Sequence, residues 1–109
     1  MLEKIESVEE LDNLISDKKS FMLLKHSSTC PISHAAYEEY QKFASDSEDA
    51  PAYYLVVQEA RSLSNHIAER FGIKHESPQA ILFSDEAPAW NASHWKITNK
   101  ALKEAFSAK

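Results

Sequence analysis

Thr29-Cys30-Pro31-Ile32-Ser33 sets the only cysteine of this 109-residue chain directly before a proline. A thiol attacks as thiolate, and thiolate is favoured over thiol where unpaired backbone N–H groups and the positive end of a helix dipole meet. Pro31 marks such a place, since proline is accommodated in a first helical turn, where its missing N–H is not needed. Cys30 is therefore a candidate nucleophile, the alternative being the small buried hydrophobe that a lone cysteine often is. Ser33 stands where a Cys-x-x-Cys motif would carry its second sulfur. Its hydroxyl can at most donate a hydrogen bond to the Cys30 thiolate, or it is simply a residue suited to a helix start. No internal thiol can then resolve a mixed disulfide on Cys30, so the available chemistry is exchange: Cys30 attacks, a client thiol departs, and an external thiol regenerates Cys30.

Other side chains add less. Cys30 and His34 share a helix face at i and i+4, but two ligands do not make a tetrahedral site, and no metal site is expected. Lys25, Arg61, Lys74 and His75 would attract an anionic ligand if they converged, whereas each taken singly belongs on a solvated surface. Trp95 reads as core packing, because large aromatics are mostly buried. A net charge of −5 without a Lys/Arg run argues against nucleic acid as a partner. The longest apolar runs, Phe21 to Leu24 and Tyr53 to Val57, fall far short of the roughly 20 residues of a membrane helix. Met1 to Glu6 lacks a basic segment followed by an apolar one, so the expected location is cytoplasmic, where a single reduced cysteine is ordinary. Asn91-Ala92-Ser93 matches a glycosylation acceptor but carries no meaning there.

Helices and strands must position Cys30. Ser7-Val8-Glu9-Glu10 has capping-box spacing, and Val8, Leu11, Leu14 and Ile15 recur at helical intervals, predicting a helix over 7–18. Phe21 to Leu24 reads as a buried strand aimed at Cys30, and Ile32, Ala36, Tyr40 and Phe43 mark one face of a helix ending near Ser45. Tyr53 to Val57 is strand-like. Ser62 can cap a helix carrying Leu63, Ile67 and Phe71, which Gly72 closes in a left-handed conformation. Gln79 to Phe83 reads as a strand, Ser84 to Pro88 as a turn, and the stretch through Trp90 to about Ser93 as the second arm of a hairpin. Thr98 caps a last helix with Leu102, Ala105 and Phe106 inward. The order αβαβαββα implies one α/β domain over 1–109, with a sheet covered on both faces and an antiparallel edge.

Cys-Pro-Ile-Ser at a strand-to-helix junction, with a proline opening the next-to-last strand about fifty positions later, resembles the thioredoxin fold with serine for the second cysteine. More closely, Lys25-His26-Ser27-Ser28-Thr29-Cys30-Pro31-Ile32-Ser33, together with Ala92-Ser93-His94-Trp95 and Ile97-Thr98, resembles the monothiol bacilliredoxin family over nearly the whole chain. The resemblance implies a thioredoxin-like domain with a four-stranded mixed sheet, in which Cys30 removes bacillithiol from mixed disulfides on cytosolic proteins. Bacillithiol is then a co-substrate, and no bound cofactor is implied. It also implies a cis Ser77–Pro78 bond beside Cys30, and places Ser93 and His94 near the thiol. Thr29, Pro31, Ser77, Pro78, Ser93 and His94 are thus candidate substrate contacts, with Lys25, His26, Lys74 and His94 as further partners for an anionic thiol. Two other classes remain: an iron–sulfur carrier of the monothiol glutaredoxin type, against which Pro31 counts, and a catalytically silent interaction module.

Overall fold

The computed structural model describes residues 2–109, which form one mixed sheet with helices on both faces. The elements are β1 (Leu2–Lys4), α1 (Val8–Asp17), β2 (Ser20–His26), α2 (Pro31–Asp46), β3 (Ala52–Val56), α3 (Arg61–Phe71), β4 (Gln79–Ser84), β5 (Ala87–Ser93) and α4 (Asn99–Ala108), with a single 3-10 turn at His94–Lys96. Spatial order is β1-β3-β2-β4-β5; β1, β3 and β2 run parallel, and β4 and β5 antiparallel to their neighbours.

The sheet has five strands where the sequence predicts four. β1 is only three residues long, and its sole apolar residue is Leu2. It exists because Leu2, Glu3 and Lys4 pair with Ala52, Tyr53 and Tyr54, a long-range contact with no local periodicity. Two further corrections concern punctuation. The hairpin turn is Asp85-Glu86 alone, both residues at positive φ, so Pro88 lies inside β5. Proline is tolerated there because β5 is an edge strand, and the register shifts next to Leu82 and Phe83. Helix α3 starts at Arg61 with Ala60, not Ser62, at its N-cap. The Glu59 and Ala60 amides both donate to the Val56 carbonyl, a tight turn that buries Ala60 and starts the helix before Ser62 is reached.

Other local expectations match. Ser7 Oγ accepts the Glu10 amide, Thr98 Oγ1 accepts the Ala101 amide, and Gly72 closes α3 at φ 64°. Alternation along β2, buried throughout, then decides what lies beneath each helix. Phe21 and Leu23 join Leu11, Ile15, Leu63 and Ile67 in the layer under α1 and α3. Met22 and Leu24 join Ala36, Tyr40, Phe43 and Leu102 under α2 and α4. Continuing the alternation sends Lys25 toward α3 and His26 toward α2.

Candidate active site

Strand β2 ends at His26, and four residues later the chain turns into α2 with Cys30 as N-cap, in extended conformation, and Pro31 in the first turn. The Cys30 carbonyl accepts the His34 amide at 3.1 Å, the first bond of the helix. Cys30 is half-buried and unpaired, and its sulfur caps no amide of the helix. It thus retains access to a substrate at the end of a helix whose dipole favours an anion.

The loop ahead of it is held from two sides. Ser33, fully buried one turn into α2, accepts the Ser27 amide on Oγ at 2.8 Å and lies 2.8 Å from His26 Nδ1. The hydroxyl expected to face Cys30 is therefore committed to His26 and Ser27, which bridge the end of β2 to the first turn of α2. From the turn after β3, Gln58 Oε1 accepts the Ser28 amide at 3.1 Å, while its Nε2 donates to Ser27 Oγ at 2.8 Å and Thr29 Oγ1 at 3.3 Å. His34 Nε2 donates to the Ser28 carbonyl at 3.0 Å. Gln58 was invisible to sequence reasoning: an exposed glutamine after a strand carries no motif.

His26 is buried, its ring stacked on Tyr37 at 4.8 Å and meeting the edge of His34 at 5.3 Å. Burial, and then the neighbouring His34 charge, push its pKa below the usual imidazole range. Lys25 departs furthest from expectation. It is not on a solvated surface but fully buried, with Nζ donating to the Ser64 carbonyl at 3.0 Å and to His75 Nδ1 at 3.2 Å. Desolvation lowers its pKa to about 8. Neither Lys25 nor His26 is exposed to receive an anionic ligand. Of the other cations, exposed Lys74 pairs with Glu76 at 3.9 Å and exposed Arg61 opens α3.

The second candidate wall lies at the same end of the sheet. Gln79 pairs with Lys25 on one side and Ser93 on the other, so Ser77-Pro78 and Ser93-His94 emerge beside the end of β2 that leads to Cys30. The Ser77–Pro78 bond is cis and Pro78 is buried. The Pro78 carbonyl accepts the His94 amide at 3.1 Å, which ties the two segments together, and His94 adopts a positive φ of 55°. His94 Nε2 faces Glu76 at 3.7 Å. Trp95 corrects the expectation of core packing: it is 68% exposed, turned out because buried Ile97 anchors the segment instead. Between it and α2 runs a groove of about 300 Å³ lined by Ala35, Glu38, Lys42, His94 and Trp95. The α2 residues continue, at helical spacing, the face that begins at Pro31.

Comparison with known proteins agrees with this geometry. The family model for the monothiol bacilliredoxin BrxC matches residues 3–102. A solved structure provisionally described as an oxidoreductase with a thioredoxin fold superposes with a TM-score of 0.91 at 40% identity, covering 96% of this chain and 93% of that one. A mutant thioredoxin of Entamoeba histolytica superposes at 0.79 with 16% identity, covering 100% of both chains. Fasciola hepatica thioredoxin gives 0.79 at 12% identity over 97% of each. The last two show the fold alone, with its mixed sheet flanked by helices.

Proposed function

The chain belongs to the monothiol bacilliredoxin family, and from that premise we propose that it removes bacillithiol from mixed disulfides on client proteins, with Cys30 as the attacking thiol. The thiol oxidoreductase character follows from the family and fold; the substrate is the step beyond them. The observation that carries the reading is the pairing of a half-buried, unbonded thiol at a helix N-cap with a buried serine, not a cysteine, one turn later.

In the proposed step the Cys30 thiolate attacks the bacillithiol sulfur of the client's mixed disulfide. A Cys30–bacillithiol disulfide forms, the client's sulfur–sulfur bond breaks, and the client leaves as a thiolate that takes its proton from solvent. Oxidation state is conserved, and a second external thiol must return Cys30 to its reduced form. Thr29 and Pro31 flank the sulfur in sequence. Ser77, Pro78, Ser93 and His94, at the same end of the sheet, would bound the substrate opposite α2. Ser33 serves as a structural anchor of the loop.

A client carrying bacillithiol and the same client carrying glutathione, each incubated with reduced protein and weighed with it by mass spectrometry, test the proposal. Preferential adduct formation on Cys30 from the first client is expected. Equal transfer from both would remove the ligand assignment, and no adduct from either would remove the exchange reaction.

A further inference from the structure

The exchange step as written gives no role to the buried His26 ring beside Ser33. Ser33 Oγ already accepts the Ser27 amide, so one proton and one lone pair remain for its 2.8 Å contact with His26 Nδ1. That contact has two forms. With a bare Nδ1, the hydroxyl proton lies on the ring. With a proton on Nδ1, the oxygen accepts twice and the hydroxyl proton is free to turn elsewhere; Cys30, the N-cap of the helix, stands three positions earlier in the chain.

We propose that His26 is a positioning residue which sets, through Ser33, how much hydrogen bonding the Cys30 thiolate receives: neutral His26 with its proton on Nε2 holds the hydroxyl proton on Nδ1, and His26 protonated at Nδ1 releases it to the sulfur. The proposal rests on Cys30 being the nucleophile and not on which small thiol it accepts. The groups facing the ring are Tyr37 in a stack at 4.8 Å, the edge of His34 at 5.3 Å, and Tyr54, which packs on Tyr37 at 5.4 Å. None is a carboxylate that would favour the cation. Burial and the His34 charge therefore keep His26 neutral at pH 7. The thiolate is then left without the serine proton, and a less stabilised thiolate is the better nucleophile. Acidification that protonates His26 turns the hydroxyl toward sulfur and lowers the reactivity of each thiolate.

The test is iodoacetamide alkylation of Cys30 as a function of pH in the wild type, His26→Phe, Ser33→Ala and the double variant. Phenylalanine can keep the stack on Tyr37 but has no Nδ1, so His26→Phe imitates the released state. One hydrogen bond to a charged acceptor raises the thiolate population about tenfold, and the accompanying loss of nucleophilicity recovers about half of that on a logarithmic scale. The expected profile for His26→Phe thus crosses the wild-type profile: about threefold faster on the acid side, and about threefold slower once Cys30 is fully ionised. In the Ser33→Ala background, His26→Phe is expected to change nothing at any pH. Superimposable profiles for wild type and His26→Phe, or an equal shift with and without Ser33, would overturn the proposal. Ring ¹⁵N shifts of the wild type provide a readout that does not depend on a variant folding: a bare Nδ1 at pH 7.5 is expected, and a protonated one overturns it. Because alkylation needs no mixed disulfide, a crossing profile in a protein that transfers no bacillithiol would refute the proposed function while leaving this inference standing.

Discussion

Lys25 and His26 are consecutive residues of β2, yet they enter opposite layers: Lys25 Nζ donates to the Ser64 carbonyl of α3, and His26 Nδ1 contacts Ser33 of α2. Strand alternation alone produces this division. It places a buried cation on one side of the sheet and a buried imidazole on the other, at the end of the strand that leads to Cys30. The two groups have separate consequences.

For Lys25 the consequence is pH-dependent stability. Its pKa falls from 10.5 to about 8 on folding, so between those values the unfolded chain binds the extra proton and stability rises with pH. Below pH 8 both states are protonated and the whole cost of burying the ammonium is present. The slope attributable to this group is at most about 1.4 kcal/mol per pH unit. Lys25→Met keeps the aliphatic stem and removes the charge. Urea unfolding at pH 7.5 and 9.5 should show the wild type gaining on the variant as pH rises, with the variant the more stable at pH 7.5. Parallel curves would mean that Lys25 keeps its ordinary pKa in the fold because water reaches its ammonium.

Gln58 should act locally. It takes part in three hydrogen bonds to Ser27, Ser28 and Thr29, each at an exposed site. Such bonds contribute about 1 kcal/mol or less apiece. Gln58→Ala should therefore lower Tm only modestly while freeing the Ser28 amide, whose hydrogen exchange should accelerate about tenfold, matching the loss of roughly 1.4 kcal/mol of local protection. Cys30 exchange kinetics should slow alongside, since the loop that presents the thiol loses its tie to β3. Unchanged protection of Ser28 would show that the Ser33 bond suffices by itself.

These side-chain roles mark the boundary of what could be read before the fold was known. Elements with local punctuation were legible: Ser7 and Thr98 cap as expected, Gly72 closes α3, and Pro31 starts α2 behind Cys30. The cis bond at Pro78 followed from the resemblance and not from any local signal. β1 was illegible because a three-residue strand has no periodicity and owes its existence to β3. The Asp85-Glu86 turn hid because neither residue is the glycine or asparagine that usually announces positive φ. Lys25 and Trp95 were misread for a shared reason: residue type stands in for burial only on average, and a strand position pointing inward buries a lysine as readily as a short turn anchored by Ile97 exposes a tryptophan. In the candidate site, the place of the Cys30 thiol at a helix start could be read from sequence, but the His26-Ser33-Ser27 connection could not, since it joins a strand end to a helix face through polar side chains and a backbone amide.

Trp95 gives a prediction that separates binding from stability. An exposed side chain contributes little to the core, so Trp95→Ala should change unfolding free energy by no more than about 0.5 kcal/mol. If the groove beside α2 receives the part of the substrate that does not react, the same change should raise KM for the mixed disulfide several-fold and leave kcat nearly unaltered, with Trp95→Phe recovering most of the loss. A fall in kcat with constant KM would instead place Trp95 among groups that act on the reacting sulfurs.

Replacing Ser33 discriminates between one-thiol exchange and everything else the fold could do. Cys30→Ala should abolish transfer, because no other sulfhydryl exists in the chain. Ser33→Ala leaves the Ser27 amide and His26 Nδ1 without their partner, so it should cost about 1–3 kcal/mol of stability while Cys30 still forms its adduct. Ser33→Cys is the sharper variant, since it restores a Cys-x-x-Cys spacing. With the wild type, the reaction must stop at a bacillithiol disulfide on Cys30 until an external thiol arrives. In the variant the introduced thiolate can attack the Cys30 sulfur, expel bacillithiol as a thiolate and leave an intramolecular disulfide. Intact mass should accordingly show a stable adduct on the wild type, and on Ser33→Cys a protein free of adduct and lighter by its two thiol hydrogens. An adduct that persists on Ser33→Cys would mean that the buried side chain at this position cannot reach Cys30, which would also undercut the route from His26 to the thiolate. Rapid loss of the adduct from the wild type without added thiol would refute the one-thiol mechanism itself.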